Sequence, residues 1–163
     1  MTPRLEVHFL FISPEHNYVG HHGIEPGTSP IVSCAEVECV AGYGVRGDRF
    51  FSHRPDFKGQ ITFFSLETLY DLWRELSVPE QLRCVSATRR NVLVKGIDLD
   101  ACIGVEFEVQ GVRFFGTEEC RPCYWMDSAI GPGAEDRLKG RGGLRARILS
   151  DGWLRVNSPN DRS

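Results

Sequence analysis

No apolar run in this chain is long enough to cross a bilayer, and Met1 to Ser13 interrupts its apolar alternation with polar and charged residues. Membrane insertion and a secretory leader are therefore not expected, and a cytoplasmic setting with reduced thiols is. Internal repeats, low-complexity tracts and long linkers are also missing, which argues against solenoid and propeller architectures. No Ser/His/Asp or paired-carboxylate arrangement stands out for hydrolysis. Flavin, haem and iron–sulfur signatures are absent. The glycine-rich segment at 140–143 is not followed by Gly-Lys-Ser/Thr, so it departs from the Walker phosphate loop. Positive charge is scarce overall: the net charge is −3, too little for the broad basic face that a nucleic-acid duplex demands.

What remains is an ordinary globular composition. Of 163 residues, 41% are hydrophobic and 25% charged, enough for one domain with its own core, assigned to 1–157 with a polar tail at 158–163. The charge is uneven. Acidic residues crowd the middle (Glu67, Asp71, Glu75, Glu80, Asp98, Asp100, Glu106, Glu108), and basic ones gather at 46–58, 89–95 and 137–147. Local basic loops on an acidic protein suit a small anionic ligand. A chain of this size needs no disulfide staples, so Cys34, Cys39, Cys84 and Cys102 are expected to pack as small hydrophobes.

Strands are expected at Leu5–Ile12, Ile31–Val40, Gly59–Phe64, Asn91–Val94, Val105–Val109 and Val112–Phe115, the last two joined by a tight turn at Gln110-Gly111. Arg145–Leu149 and Trp153–Val156 read as a final hairpin around Asp151-Gly152. Ser65 is a plausible N-cap for one clear helix, Leu66–Leu76, whose stripe is Leu66, Leu69, Tyr70, Trp73 and Leu76. Short helical turns are expected at 98–101 and 134–138. Ser13 to Pro30 is a long loop rich in His, Gly and Pro, and its His16, His21 and His22 read as surface residues. The expectation is a mainly β domain, a closed or partly open small barrel with one main helix against it.

Cys120 and Cys123 stand at CxxC spacing. A redox pair would usually open a helix in a βαβ setting, and none is expected. A zinc site needs a second ligand pair, and Cys34 and Cys39 would point to opposite faces of a strand. One functional thiol with a neighbour remains, and Pro122 makes Cys123 the better presented of the two. Arg89 and Arg90 are adjacent, so they cannot both face the core, and at least one projects from the barrel mouth. Guanidinium pairs bidentately with phosphate or carboxylate, and Asn91 can donate and accept beside it. The Gly140–Gly143 loop lets backbone amides approach an anion, with Arg141 and Arg145 adding charge. Asp48, in Gly44-Val45-Arg46-Gly47-Asp48-Arg49, either orients an arginine or caps the turn.

The ordered set of these segments resembles the family named after the C-terminal domain of molybdenum cofactor sulfurase, the MOSC family. The blocks are Ile31–Val40, Gly44-Val45-Arg46-Gly47-Asp48, Gly59-Gln60-Ile61-Thr62, Arg90-Asn91-Val92 through Gly96-Ile97-Asp98-Leu99 to Ile103-Gly104, Arg121-Pro122-Cys123, and Gly140-Arg141-Gly142-Gly143 with Ala146-Arg147-Ile148-Leu149. The resemblance implies a MOSC-type β-barrel and binding of the molybdenum cofactor, molybdopterin with its metal. Pyridoxal phosphate enters only as an association of the family at large. By position, Cys123 becomes the catalytic thiol and metal ligand, and Gln60, Arg90, Asn91, Arg141 and Arg145 become cofactor contacts.

Such a small member lacks the extra domain of the larger amidoxime-reducing relatives. The resemblance implies a molybdenum-dependent oxidoreductase acting on N-hydroxylated or N-oxide small molecules, served by a separate electron-donor protein. The alternative it implies is a persulfide sulfur carrier or cofactor chaperone, served by a cysteine desulfurase. Neither nucleic acid nor membrane is an expected partner.

Overall fold

The computed structural model describes residues 5–14 and 31–158. Its strands are β1 (Glu6–Ile12), β2 (Val32–Cys34), β3 (Glu36–Val40), β4 (Gly44–Val45), β5 (Ile61–Ser65), β6 (Val92–Lys95), β7 (Glu106–Val109), β8 (Val112–Glu119), β9 (Leu144–Ile148) and β10 (Gly152–Arg155). Its α-helices are α1 (Leu66–Glu75), α2 (Trp125–Ala129) and α3 (Ala134–Leu138). A seven-stranded mixed sheet runs β2-β1-β6-β5-β9-β8-β7, and a three-stranded sheet runs β10-β3-β4. Among the described residues the large sheet does not close on itself, so the barrel expectation holds only in its partly open form.

Strand alternation divides the interior in two. Leu10, Phe63 and Val92 face one core together with Val37, Cys39, Val45 and Leu154 of the small sheet. Their neighbours Phe11, Phe64 and Leu93 face the other, against α1, α2 and α3. The large sheet is thus covered on one face by helices and on the other by the small sheet.

Local signals account for most elements. Ser65 Oγ accepts from the Thr68 amide at 3.2 Å and starts α1. Gln110 and Gly111 both take positive φ (51° and 83°), the requirement of a type I′ hairpin turn between β7 and β8.

Four expectations are corrected. The α1 stripe buries Leu72, while Tyr70 is 42% exposed and carries Lys95 over its ring. The segment 31–40 breaks at Ala35, and its halves join different sheets. β9 and β10 form no hairpin; β9 lies between β5 and β8, and β10 pairs with β3. A βαβ unit is present after all, since β5 and β6 are parallel neighbours joined through α1. The CxxC pair lies outside it. Of the four cysteines assigned to packing, Cys39 and Cys102 are buried, Cys34 is half-buried and Cys84 is exposed. His16, His21 and His22 fall outside the described residues.

Truncating Leu72 to Ala should cost about 2–5 kcal/mol, whereas Tyr70→Ala should cost under about 1 kcal/mol. Urea unfolding of the two variants checks this, and equal costs would contradict the burial assignment.

Candidate functional site: an arginine-lined thiol cavity

A cavity of about 280 Å³ opens where the segment after β8 passes the loops leading into β5, β6 and β9. Cys120, Arg121, Cys123, Trp125 and Met126 line one side. Arg89 and Arg90 come from the approach to β6, Arg145 from β9, and Arg49, Phe50, Phe57 and Gly59 from the β4–β5 connection. Among the described residues, five arginines therefore line the cavity and no carboxylate does. Phe50, Phe57 and Trp125 add aromatic surface.

The arginines divide by function. Arg90 is 7% exposed, and its donors are spent on the backbone. Nε and Nη2 donate to the Gly142 carbonyl at 3.2 and 3.0 Å, Nη2 to the Cys120 carbonyl at 3.4 Å, and Nη1 to the Thr88 carbonyl at 2.9 Å. Arg90 thus clamps the loop before β9 to the segment after β8, though one of its five N–H groups is left. Its neighbour Arg89 is half-buried on the cavity and sits in the left-handed region at φ 56°. That conformation costs an ordinary side chain about 1 kcal/mol, and here it turns the two adjacent arginines apart. One buried and one projecting arginine is what their adjacency implies.

Arg49 is the residue that the sequence reading passed over. Its side chain is 13% exposed, lies 3.6 Å from Asp48 and stacks its guanidinium over Phe50 at 4.6 Å. Beyond the ion pair with Asp48 it makes no side-chain hydrogen bond to a described residue, and it lines the cavity. Burial pulls its pKa down, Asp48 pushes it back up, the Arg90 cation lowers it, and the charge at Cys120 raises it. The only hint in the sequence was the Asp48-Arg49 step, and both readings of Asp48 hold. Oδ2 accepts from the Phe50 amide at 3.3 Å, and Oδ1 accepts from the Ser13 amide and from Asn91 Nδ2.

The remaining expected site residues separate. Cys123 and Arg145 line the cavity, the latter with Glu118 at 3.4 Å from one guanidinium nitrogen. Asn91 stands behind it as a strut. Its Oδ1 accepts from the Thr62 amide and hydroxyl, and its Nδ2 donates to Phe11 O and Asp48. Gln60 is 2% exposed and accepts from the Ile148 amide at 2.8 Å, away from the cavity. Arg141 pairs with Glu75 and donates to Arg137 O, lining a separate surface hollow with Asp98 and Asp100.

The Gly140–Gly143 loop packs closely against its neighbours. A Cβ at Gly142 would run into the Cys120 carbonyl, and one at Gly143 into the Phe63 carbonyl, at a φ of 104°. The Gly142 amide donates to Glu119 at 3.3 Å, leaving its carbonyl to Arg90. Among the described residues no three His, Cys, Asp or Glu side chains gather as a metal cage.

Residues 47–159 match the MOSC domain. Among solved structures, the fold is similar to the YuaD protein from Bacillus subtilis, at 18% identity and a TM-score of 0.71, covering 93% of this chain and 91% of that one. It is also similar to YiiM from Geobacillus stearothermophilus, at 15% identity and a TM-score of 0.63, covering 96% of this chain and 73% of that one. YiiM from Escherichia coli gives 14% identity and a TM-score of 0.62, covering 97% of this chain and 70% of that one. No curated protein matches the sequence.

Replacing Arg90 by Ala strands three buried carbonyls and should cost at least about 3 kcal/mol, while Arg145→Ala should cost under about 1 kcal/mol. Denaturant unfolding distinguishes them, and a near-neutral Arg90→Ala would remove the clamp from the account.

Proposed function

Because this chain belongs to the MOSC domain family, we propose that its arginine-lined cavity binds the molybdenum cofactor and that Cys123 supplies the protein ligand to the metal. One observation carries the reading: among the described residues, a half-buried thiol shares a cavity with five guanidinium groups and no carboxylate. Thiolate is a soft ligand suited to such a metal, and guanidinium suits phosphate. The donor set also fits the way this metal is delivered. With no cage of three or more ligating side chains among the described residues, a bare ion has little there to hold it. A metal arriving with a pterin dithiolene needs only one thiolate from the protein.

The chain's own residues then have distinct tasks. Arg49 and Arg89 offer donors to the phosphate of the ligand, with Arg121 and Arg145 nearer the solvent side. Phe50, Phe57 and Trp125 give flat apolar surfaces on which a ring system packs and from which water is excluded. Arg90 holds the Cys120 and Gly142 backbone so that these groups converge without rearranging. Gln60, Asn91 and Arg141 support the surrounding elements from outside the cavity. When bound, the cofactor would supply two-electron redox chemistry, and the protein would supply positioning and charge.

Within that reading the activity is reduction of N-hydroxylated or N-oxide small molecules, fed by a separate electron-donor protein. A second reading is favoured by Cys120 lying in the same cavity: a persulfide carrier or cofactor chaperone loaded by a cysteine desulfurase.

Metal and pterin content of anaerobically purified protein, from a host that makes the cofactor, tests both. Near-stoichiometric molybdenum and pterin in the wild type, with molybdenum lost in Cys123→Ala and both reduced in Arg49→Ala, is the expected result. Folded wild type without either would overturn the cofactor reading and leave the carrier, for which a sulfur adduct on Cys123 is the signature.

A further inference from the structure

We propose that Cys120 and Cys123 form a redox switch inside the cavity, closing to a disulfide when a hydroperoxide oxidises Cys123. Its consequence for ligand binding rests on the function proposed above, but the disulfide itself does not.

Both thiols line the same cavity, Cys120 at 6% exposure and Cys123 half-buried. Each is anchored through its backbone. The Cys120 amide donates to Gly143 O at 2.8 Å, its carbonyl accepts from Arg90, and the Cys123 carbonyl accepts from the Met126 amide at 2.9 Å. Only Arg121 and Pro122 separate them. A span of two intervening residues can bring Cα atoms within the roughly 4.4–6.8 Å a disulfide requires.

The charge around this pair differs from that around the other buried cysteines. Burial and the Glu38 charge push the Cys39 thiol up to about 12, and burial and Asp98 push Cys102 up. Both thiols are thereby kept out of thiolate chemistry. Cys120 and Cys123 instead share a cavity lined by guanidinium groups. Oxidation requires access, which selects the more exposed Cys123 for first attack.

The chemistry closes with a hydroperoxide as co-reactant. The Cys123 thiolate attacks the terminal peroxide oxygen, the O–O bond breaks, and the remaining alkoxide takes a proton and leaves as alcohol or water. The Cys123 sulfenic acid is then attacked at sulfur by the Cys120 thiolate, which forms the S–S bond and releases hydroxide, protonated to water. Two thiols lose two electrons in all and the peroxide gains them; an external dithiol reverses the step. In the closed form Cys123 has no thiolate to offer a metal.

Reduced protein treated with near-stoichiometric hydrogen peroxide should lose about 2 Da, the mass of the two thiol hydrogens, and subsequent alkylation should leave Cys120 and Cys123 untagged. Peptide mapping should join Cys120 to Cys123, and dithiothreitol should restore both thiols. Cys120→Ser should instead accumulate sulfenic and sulfinic acid at Cys123. Because the wild-type map needs no variant, a poorly folding Cys120→Ser leaves the test intact. Cys123 running on to sulfinic acid in the wild type while Cys120 alkylates freely would overturn the proposal. So would a disulfide to the exposed Cys84. A Cys120–Cys123 bond in protein that holds no molybdenum or pterin when reduced would sustain the switch and overturn only the cofactor reading.

Discussion

The site depends on one buried cation, Arg90, whose side-chain partners among the described residues are backbone carbonyls. Arg90 is solvated by three backbone carbonyls, those of Thr88, Cys120 and Gly142. A buried charge without hydrogen bonds costs several kcal/mol, so these bonds are needed to keep Arg90 inside. Their making brings three stretches of chain together: the approach to β6, the segment after β8 and the loop before β9. The cavity is the space left between them. Glycine at 142 and 143 is a condition of the clamp, because side chains there would meet the Cys120 and Phe63 carbonyls before Arg90 could reach its acceptor. The arginine and the glycines, distant in the chain, are parts of one device.

Behind the clamp, Asp48 gives the basic site its counter-charge without entering it. Its carboxylate is occupied by the Ser13 and Phe50 amides and by Asn91, and it stands 3.6 Å from Arg49. Arg49 is thereby held in place on the cavity wall. A carboxylate inside the cavity would have paired with these cations and closed the site to anions. The separation of Arg90, spent on backbone carbonyls, from Arg49, paired with Asp48 behind it, distinguishes scaffold from binding surface here.

Local features were legible in the sequence because short-range chemistry decides them. The Ser65 cap, the Gln110-Gly111 turn and the burial of Cys39 need little context. Cys123 was legible as the functional thiol candidate because proline, arginine and a second thiol surround it in the sequence. What escaped depends on long-range pairing. Tyr70 and Leu72 lie on adjoining sides of the α1 stripe, and only the position of the sheet selects Leu72. The break at Ala35 serves two sheets at once, which no pattern within 31–40 records. Gln60, Asn91 and Arg141 read as ligand-facing because polar residues in basic or turn-rich segments suit ligands. The fold spends them on Ile148, on Thr62 and Phe11, and on Glu75. Arg49 was missed for the opposite reason, since a turn arginine resembles any solvated one until burial is known.

The Arg90 grip also bears on how freely this protein can change. Its guanidinium holds residues 88 and 120 through carbonyl oxygens, atoms that every amino acid carries, although the Arg90 amide also donates to the Thr88 hydroxyl at 3.5 Å. Side-chain identity at position 120 is therefore decoupled from the architecture, within the limit of a small buried volume. An engineer can exchange the group presented beside Cys123 for a hydroxyl or a methyl and keep the surrounding frame. Positions 90, 142 and 143 carry no such latitude, because the clamp needs the guanidinium at one and the missing side chains at the others.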